Sequence, residues 1–169
     1  YGDRILNEEF FWAAAELYCT TGDHKYYEVV KPGRGNIRFR ITESWRNYVD
    51  NIGYYSLYLS ENMDKDARQL LEEGIVRLAD GLLADAQTNP YGTPISHFEW
   101  GSNSDVLNTA IIQVIAHHMT GDRKYLDAAA MCTDYIFGRN ATGYSFVSGY
   151  GTKYSRNFHH RLLWADDVD

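Results

Sequence analysis

The sequence predicts an all-α protein built from antiparallel helix hairpins, and three observations lead to this fold class. Long segments place apolar residues at the spacing of an amphipathic helix. The tripeptide Thr-Gly-Asp stands twice between two such segments, where it fits a tight corner. No segment gives a convincing strand pattern. A chain of 169 residues that is 44% hydrophobic is long enough for one domain, or for a large piece of one.

The first predicted helix covers about residues 5–20 and is followed by the stretch TGDHKY. Gly22 can take the left-handed conformation that closes a helix, and Asp23 can cap the start of the next one. The same device returns as TGDRKY at residues 120–125, between two further segments with helical periodicity. A corner used twice indicates a repeated antiparallel helix hairpin.

Two more helices are predicted between these corners, over about residues 43–60 and 64–86, which gives six helices in three hairpins. The same pattern is typical of a plain helical bundle or a solenoid. Bundles usually connect their helices with about two to eight residues. Here the connections around Pro32 and over residues 88–104 are long and rich in Gly, Pro and aromatic residues. Short turns at one end and elaborate loops at the other indicate that one face carries a site.

Composition and charge exclude several classes of function. A net charge of −7 argues against a nucleic-acid surface, which needs clustered Lys and Arg. The chain has no apolar run of about 18 residues and therefore no predicted membrane span. Cys19 and Cys132 do not make a disulfide framework in a chain of this size. The 14 tyrosines and 4 tryptophans suit either a groove for a flat, hydroxylated ligand or the edge of the core.

Motifs for metal binding or nucleophilic catalysis do not stand out. The adjacent His117 and His118 would point about 100° apart on a helix, and no HExxH or CxxC spacing occurs, so we predict no metal site. No GxSxG elbow occurs, and most carboxylates stand beside lysines and arginines, as on a solvated helix face. The triplet Asn140-Ala141-Thr142 matches the acceptor pattern for N-glycosylation, which is frequent by chance.

The stretch YSFVSGYGTKYSRNFHHR at residues 144–161 differs from the rest of the chain because it is polar, aromatic and poor in helix formers. Its order of small, apolar, glycine and basic residues, closing in His159-His160-Arg161, resembles the histidine-containing signature of glycoside hydrolase family 9, the cellulase family. Phe158 departs from that signature, because the family more often has Pro or a small aliphatic residue there. EEFFWAAAELYCTTGDHKYY, FEWGSNSDVLN and DYIFGRN resemble the same family, so the likeness spans residues 8–161.

This resemblance implies a specific fold and activity. The family fold is an (α/α)6 barrel of six helix hairpins, with the active-site cleft at the end that bears the long loops. Three hairpins would make about half of such a barrel, so residues 1–169 are predicted to be a single partial domain, the C-terminal part of the catalytic domain. The parent protein would be an inverting β-1,4-glucan hydrolase of the endoglucanase or cellulase type.

The sequence departs from the family in its catalytic carboxylates. An inverting glycosidase needs one carboxylate to activate water and a second to protonate the leaving oxygen, roughly 6.5–9.5 Å apart. In the family the base comes from an upstream DAGD-like motif and the acid is a Glu in an Asn-Glu segment downstream of His-x-Arg. Neither motif is present here, and the terminal aspartates do not replace them. We therefore expect the isolated chain to be inactive.

The candidate site residues lie on or beside residues 144–161. By the resemblance, His159 and Arg161 correspond to residues that bind sugar hydroxyls and help to orient the catalytic groups. Glycines in the same stretch let the backbone approach a flat ligand. The further candidates for substrate binding are Trp100, Tyr150, Tyr154 and His160. Trp100 is alternatively a core aromatic at a helix entrance, and His160 alternatively packs within the loop.

The expected partner is a β-glucan polysaccharide or oligosaccharide, handled by a protein that is secreted or held at the cell envelope. Two other functions stay open: a noncatalytic carbohydrate-binding or scaffolding domain, and an enzyme for another β-linked glycan such as glucosamine oligomers. No cofactor is predicted; calcium occurs in the family, but the sequence offers no assignable ligand set. Half a ring of helix pairs would expose inner helix faces, so we also expect self-association or a companion fragment.

Overall fold

The computed structural model of the chain describes residues 6–33, 37–41 and 49–156. Within these ranges the chain forms six α-helices. The main chain of Ser145 also pairs with that of Tyr154 in an isolated β-bridge. The helices are α1 (Asn7–Thr21), α2 (His24–Val30), α3 (Asp50–Leu59), α4 (Lys65–Thr88), α5 (Ser102–Thr120) and α6 (Arg123–Ile136). The all-α prediction is confirmed. The predicted start of the third helix, at residue 43, lies outside the described residues.

Both Thr-Gly-Asp corners have the geometry that their sequences predict. Gly22 and Gly121 adopt left-handed φ angles of 67° and 71°, and each donates its N–H to the carbonyl four residues earlier. The carboxylates of Asp23 and Asp122 then cap α2 and α6, each accepting a 3.0 Å hydrogen bond from the N–H two residues ahead. The chain therefore reverses direction within two residues at each corner.

Short and long connections separate to opposite ends of the helices. The tight turns join α1 to α2, α3 to α4 across residues 60–64, and α5 to α6. Longer connections follow α2, α4 and α6, and we call the end of the molecule that carries them the loop end. The N-termini of α1 and α3 meet there, because Arg40 pairs with Glu8 at 2.7 Å and with Asp50 at 3.7 Å. The predicted asymmetry between the two ends is confirmed for the described residues.

Helix α4 connects two parts of the core. Its N-terminal half contributes Ala67 and Leu71 to a cluster with side chains of α1, α2 and α3. Its next turns contribute Ile75 and Leu82 to a second cluster with α5 and α6. Tyr125, at the start of α6, belongs to this second cluster and donates a 2.8 Å hydrogen bond to Asp80 of α4. The hairpins are thereby fixed to one another through α4.

Two helical glycines differ in what surrounds them, and this gives a stability prediction. A Cβ atom on Gly53 of α3 would lie 2.9 Å from Cε1 of Phe11 and 3.2 Å from the main-chain Cα of Trp12, whereas one on Gly81 of α4 would meet nothing within 4 Å. Gly53→Ala should lower the free energy of unfolding by about 1–3 kcal/mol through overpacking. Gly81→Ala should raise it by about 0.5–1 kcal/mol, because alanine loses less backbone entropy in a helix. Urea denaturation measures the free energy of unfolding of both variants. Changes of the same sign in the two variants would contradict the close contact between α1 and α3 at Gly53.

The cap of α4 predicts a pH dependence. Asp64 accepts hydrogen bonds of 2.8 Å from the N–H of Ala67 and from the hydroxyl of Tyr27. These bonds, that of the Ala67 N–H above all, hold the pKa of the Asp64 carboxyl below its usual range. On the other side of the pair, burial and then the Asp64 carboxylate raise the pKa of Tyr27 to about 12.

Because the folded-state pKa of Asp64 is lowered, its charge stabilises the fold above the unfolded-state pKa, and this contribution disappears as the pH falls. Asp64→Asn retains a capping oxygen but does not titrate. We expect the free energy of unfolding of this variant to fall below that of wild type by the largest amount at neutral pH. The difference between the two proteins should be smaller at about pH 3.5. Urea denaturation at the two pH values tests this, and an equal deficit at both would contradict it.

Candidate functional site

The candidate site follows α6 at the loop end, where residues 144–156 form a closed loop. The main chain of Ser145 donates its N–H to the carbonyl of Lys153 at 2.8 Å and accepts from the N–H of Ser155 at 3.3 Å. Residues 146–152 therefore leave and return at one point. Gly149 and Gly151 take left-handed φ angles of 71° and 87° within this excursion, which suits a tight path that most other residues would resist.

Tyr150 stands at the exposed side of this loop. Its side chain is 60% exposed, and its ring lies 4.7 Å, centroid to centroid, from the ring of Phe137, which is 40% exposed. The two rings are tilted by 55° and form an apolar surface with a phenol hydroxyl at its edge. Sequence reasoning missed Phe137. The sequence offered one indication of this residue, because Phe137 directly follows the last turn of a predicted helix. A side chain at that position need not be buried in the core.

Tyr154 lies in an open groove of about 520 Å³, which is also lined by Tyr144, Thr152, Lys153, Ser155 and Arg156. The guanidinium of Arg156 lies over the Tyr154 ring at 4.9 Å and donates a 3.0 Å hydrogen bond to its hydroxyl. One side of this ring is therefore already occupied by a cation. The groove combines hydroxyls and basic side chains, which are hydrogen-bonding groups of the kind that recognise a hydroxylated ligand.

Trp100 lies in the connection between α4 and α5 and is 75% exposed, so it is outside the core clusters of the described residues. Its role in ligand stacking stays a prediction. An aromatic series joins this connection to the loop. Phe98 stacks on Tyr135 of α6 at 5.9 Å, and Tyr135 in turn meets Phe146 at 5.9 Å. The segment carrying Trp100 and the segment carrying Tyr150 are therefore neighbours across α6.

Burial raises the pKa of Tyr135, so this ring is a neutral phenol across the ordinary pH range.

His159, His160 and Arg161 lie outside the described residues. Their proposed proximity to Tyr150 and Tyr154 therefore stays a prediction from the sequence. Of the histidine pair on α5, His117 contacts the second corner, where its Nδ1 lies 3.0 Å from the carbonyl oxygen of Asp122. This contact links the end of α5 to the cap of α6 across the second corner.

The described loop carries no acidic side chain. Residues 138–156 contain no Asp or Glu, so they supply neither a carboxylic acid nor a carboxylate base. Across residues 6–33, 37–41 and 49–156, no cluster of three or more His, Cys, Asp or Glu side chains is arranged to hold a metal ion. Nor does any helix of those ranges have the length and apolar character that crossing a membrane requires.

Comparison with known proteins identifies the relatives of this chain. The family model for glycosyl hydrolase family 9 matches residues 1–169. The chain belongs to this family. Family 9 structures are (α/α)6 barrels, so the six helices are part of such a barrel, and the predicted fold is confirmed.

Two curated family 9 relatives match the chain over almost all of its length. It is 32% identical to the xyloglucan-specific endo-beta-1,4-glucanase BoGH9A of Bacteroides ovatus, over 100% of this chain and 30% of that protein. It is 33% identical to a cellulose 1,4-beta-cellobiosidase of Acetivibrio thermocellus, over 96% of this chain and 21% of that protein. The chain thus spans less than a third of the length of either relative.

Solved structures agree with these matches. A metagenome-derived glycoside hydrolase family 9 endoglucanase superposes with a TM-score of 0.87 at 32% identity, covering 99% of this chain and 31% of that one. The complex of AaCel9A with cellobiose-like isofagomine gives a TM-score of 0.83 at 30% identity, covering 99% and 32%. The helices and loops described above therefore follow the path of about one third of a family 9 enzyme.

Proposed function

We propose that this chain is part of an inverting β-1,4-glucan hydrolase of the endoglucanase type, and that residues 144–161 contribute to its sugar-binding cleft. The observation that carries the proposal is the closed loop at the loop end, which presents exposed rings and hydrogen-bonding groups but no carboxylate. Family membership supports it, as do the names of relatives that act on xyloglucan and cellulose.

Each side chain has a distinct role in the proposed cleft. The exposed ring of Tyr150, backed by Phe137, stacks on a pyranose, and Trp100 offers a second stacking surface. Tyr154 and its basic neighbours in the groove bind sugar hydroxyls. His159 and Arg161 take the orienting role that the resemblance gives them, with His160 as a second ligand contact or a packing residue.

Hydrolysis with inversion would proceed between two carboxylates that this proposal places in other segments of the parent protein. One activates a water molecule on one face of the sugar ring while the other protonates the leaving oxygen on the opposite face. The present loop would hold the glycan in register with those groups, which lowers the entropic cost of reaching the transition state. No cofactor is needed for this reaction, and an extracellular polymer as substrate favours secretion or attachment to the cell envelope.

A first prediction concerns activity. The purified 169-residue chain should release no reducing sugar from carboxymethyl cellulose or xyloglucan above a buffer blank, because binding groups alone leave proton transfer unsupplied. A full-length protein carrying the upstream DAGD-like motif and the downstream Asn-Glu segment should release it, with the α-anomer as first product by NMR. Turnover by the pure chain, or a β-anomeric first product from the full-length enzyme, would contradict the proposal.

A second prediction concerns binding. Tyr150→Ala should weaken the affinity of the chain for cellohexaose by about five- to tenfold, since an aromatic contact of this kind is worth roughly 1 kcal/mol or more. Leu59→Ala is the control, because Leu59 is a similarly exposed apolar side chain, at 62%, at the short-turn end of α3 rather than on the loop. Calorimetric titration measures both variants. Equal losses in the two variants would show that Tyr150 is not part of a sugar site.

The exposed apolar faces of the helices support the proposal of a partial domain. On α5, Leu107, Ile111 and Val114 are 41%, 50% and 47% exposed, and their spacing places them on one stripe. On α1, Phe10 and Leu17 are exposed in the same way. Contiguous stripes of this kind mark surfaces that another element covers. In the parent barrel the remaining helices would cover them, and in the isolated chain a second copy would do so.

Self-association of the isolated chain is therefore expected. Light scattering should show a mass that rises with concentration, and Ile111→Glu should shift the chain toward monomer because it places a charge in the covered stripe. Leu59→Glu is the control, since Leu59 is 62% exposed at the opposite, short-turn end of α3. A wild-type chain that stays monomeric at every concentration would argue against a companion surface.

A further inference from the structure

Asn140 is almost fully buried beneath the start of the loop, with 8% exposure, and every hydrogen-bonding group of its side chain has a partner. Its amide NH2 donates to the carbonyls of Tyr135 and Tyr144, both at 2.8 Å. Its Oδ1 accepts from the N–H of Thr142 at 3.0 Å and from the Thr142 hydroxyl at 2.7 Å. Four hydrogen bonds therefore converge on one side chain.

These four bonds join two different parts of the fold. Tyr135 belongs to the last turn of α6, whereas Tyr144 is the first residue of the closed loop. The next residue, Ser145, is 1% exposed, and its Oγ lies 3.1 Å from both the N–H and the carbonyl oxygen of Val147. Phe146 then donates its N–H to the carbonyl of Ile136 at 2.8 Å. The entry to the loop is thus attached to the end of α6 at Tyr144, through Asn140, and at Phe146.

The chemistry of this position selects asparagine. The site requires two N–H donors toward main-chain carbonyls and one oxygen that accepts two bonds, on a side chain with a single methylene. An aspartate would direct an oxygen at two carbonyl oxygens, and a serine or an alanine would leave buried carbonyls unpaired. The full set of partners at low exposure identifies Asn140 as a structural link rather than a surface residue.

We propose that Asn140 is a positioning residue for the sugar-binding loop: it fixes residues 144–146 against the end of α6 and so sets where Tyr150 stands against Phe137. The sugar-binding part of this statement rests on the proposed function. A consequence concerns the triplet Asn140-Ala141-Thr142. N-glycosylation would replace one hydrogen of the Asn140 amide, and both of these hydrogens are bonded to main-chain carbonyls, so the folded chain does not present Asn140 for glycosylation.

Hydrogen exchange tests the link without any ligand. In Asn140→Asp, the amides of Ser145, Phe146 and Val147 should exchange at least about tenfold faster than in wild type, because both donors of the Asn140 amide are lost. Protection in α1 to α4 should be unchanged. Thr142→Val should raise loop exchange in the same direction, and Thr142→Ser, which keeps the hydroxyl, should restore it. Unchanged loop exchange in Asn140→Asp, or an equal rise in all six helices, would overturn the proposal.

The position of Tyr150 has its own readout. Nuclear Overhauser contacts between the rings of Phe137 and Tyr150 should be present in wild type and in Thr142→Ser, and should be weakened or lost in Asn140→Asp. Ring contacts of full strength in Asn140→Asp would overturn the positioning role.

Titration with cellohexaose then separates the two proposals. Weaker binding by Asn140→Asp, with helix protection intact, supports both. Faster loop exchange and lost ring contacts, in a chain whose wild type binds no cello-oligosaccharide, support the positioning role while refuting a sugar site within this chain. Unchanged affinity in a variant with a loosened loop would overturn the link between loop position and binding.

Discussion

The reversal of the chain at each Thr-Gly-Asp corner is the constraint on which the remaining architecture depends. A left-handed glycine ends one helix, and an aspartate carboxylate begins the next, so two residues suffice to turn the chain back on itself. A corner this short leaves no room for functional side chains at that end. The longer connections, and with them Trp100 and the closed loop, are therefore collected at the opposite end of the helices.

Local chemistry explains which features could be predicted from the sequence. Gly22 with Asp23, and Gly121 with Asp122, act on neighbours within four residues, so their corners were correctly predicted. Helix α4 was predicted within two residues of its observed ends for the same reason. The family signature supplied what periodicity could not, namely that three hairpins belong to a larger ring.

What could not be predicted depends on residues that are distant in sequence. The pairing of Tyr125 with Asp80 spans 45 positions, and nothing in either helix alone indicates it. Phe137 was missed because its significance comes from Tyr150, which reaches it only after the loop has closed. Asn140 matches a glycosylation pattern in the sequence, whereas in the structure its amide donates both of its hydrogens to main-chain carbonyls.

The stacked cation on Tyr154 affects how the groove would meet a ligand. Arg156 already covers one side of that ring and bonds its hydroxyl, so the tyrosine has an internal partner before any glycan arrives. A sugar that stacked on the same side of the ring would have to displace the Arg156 guanidinium. The N–H donors of that guanidinium would then need other hydrogen-bond partners. A ligand that stacked on that side of the ring would therefore replace a contact rather than add one, which lowers the net gain in binding free energy.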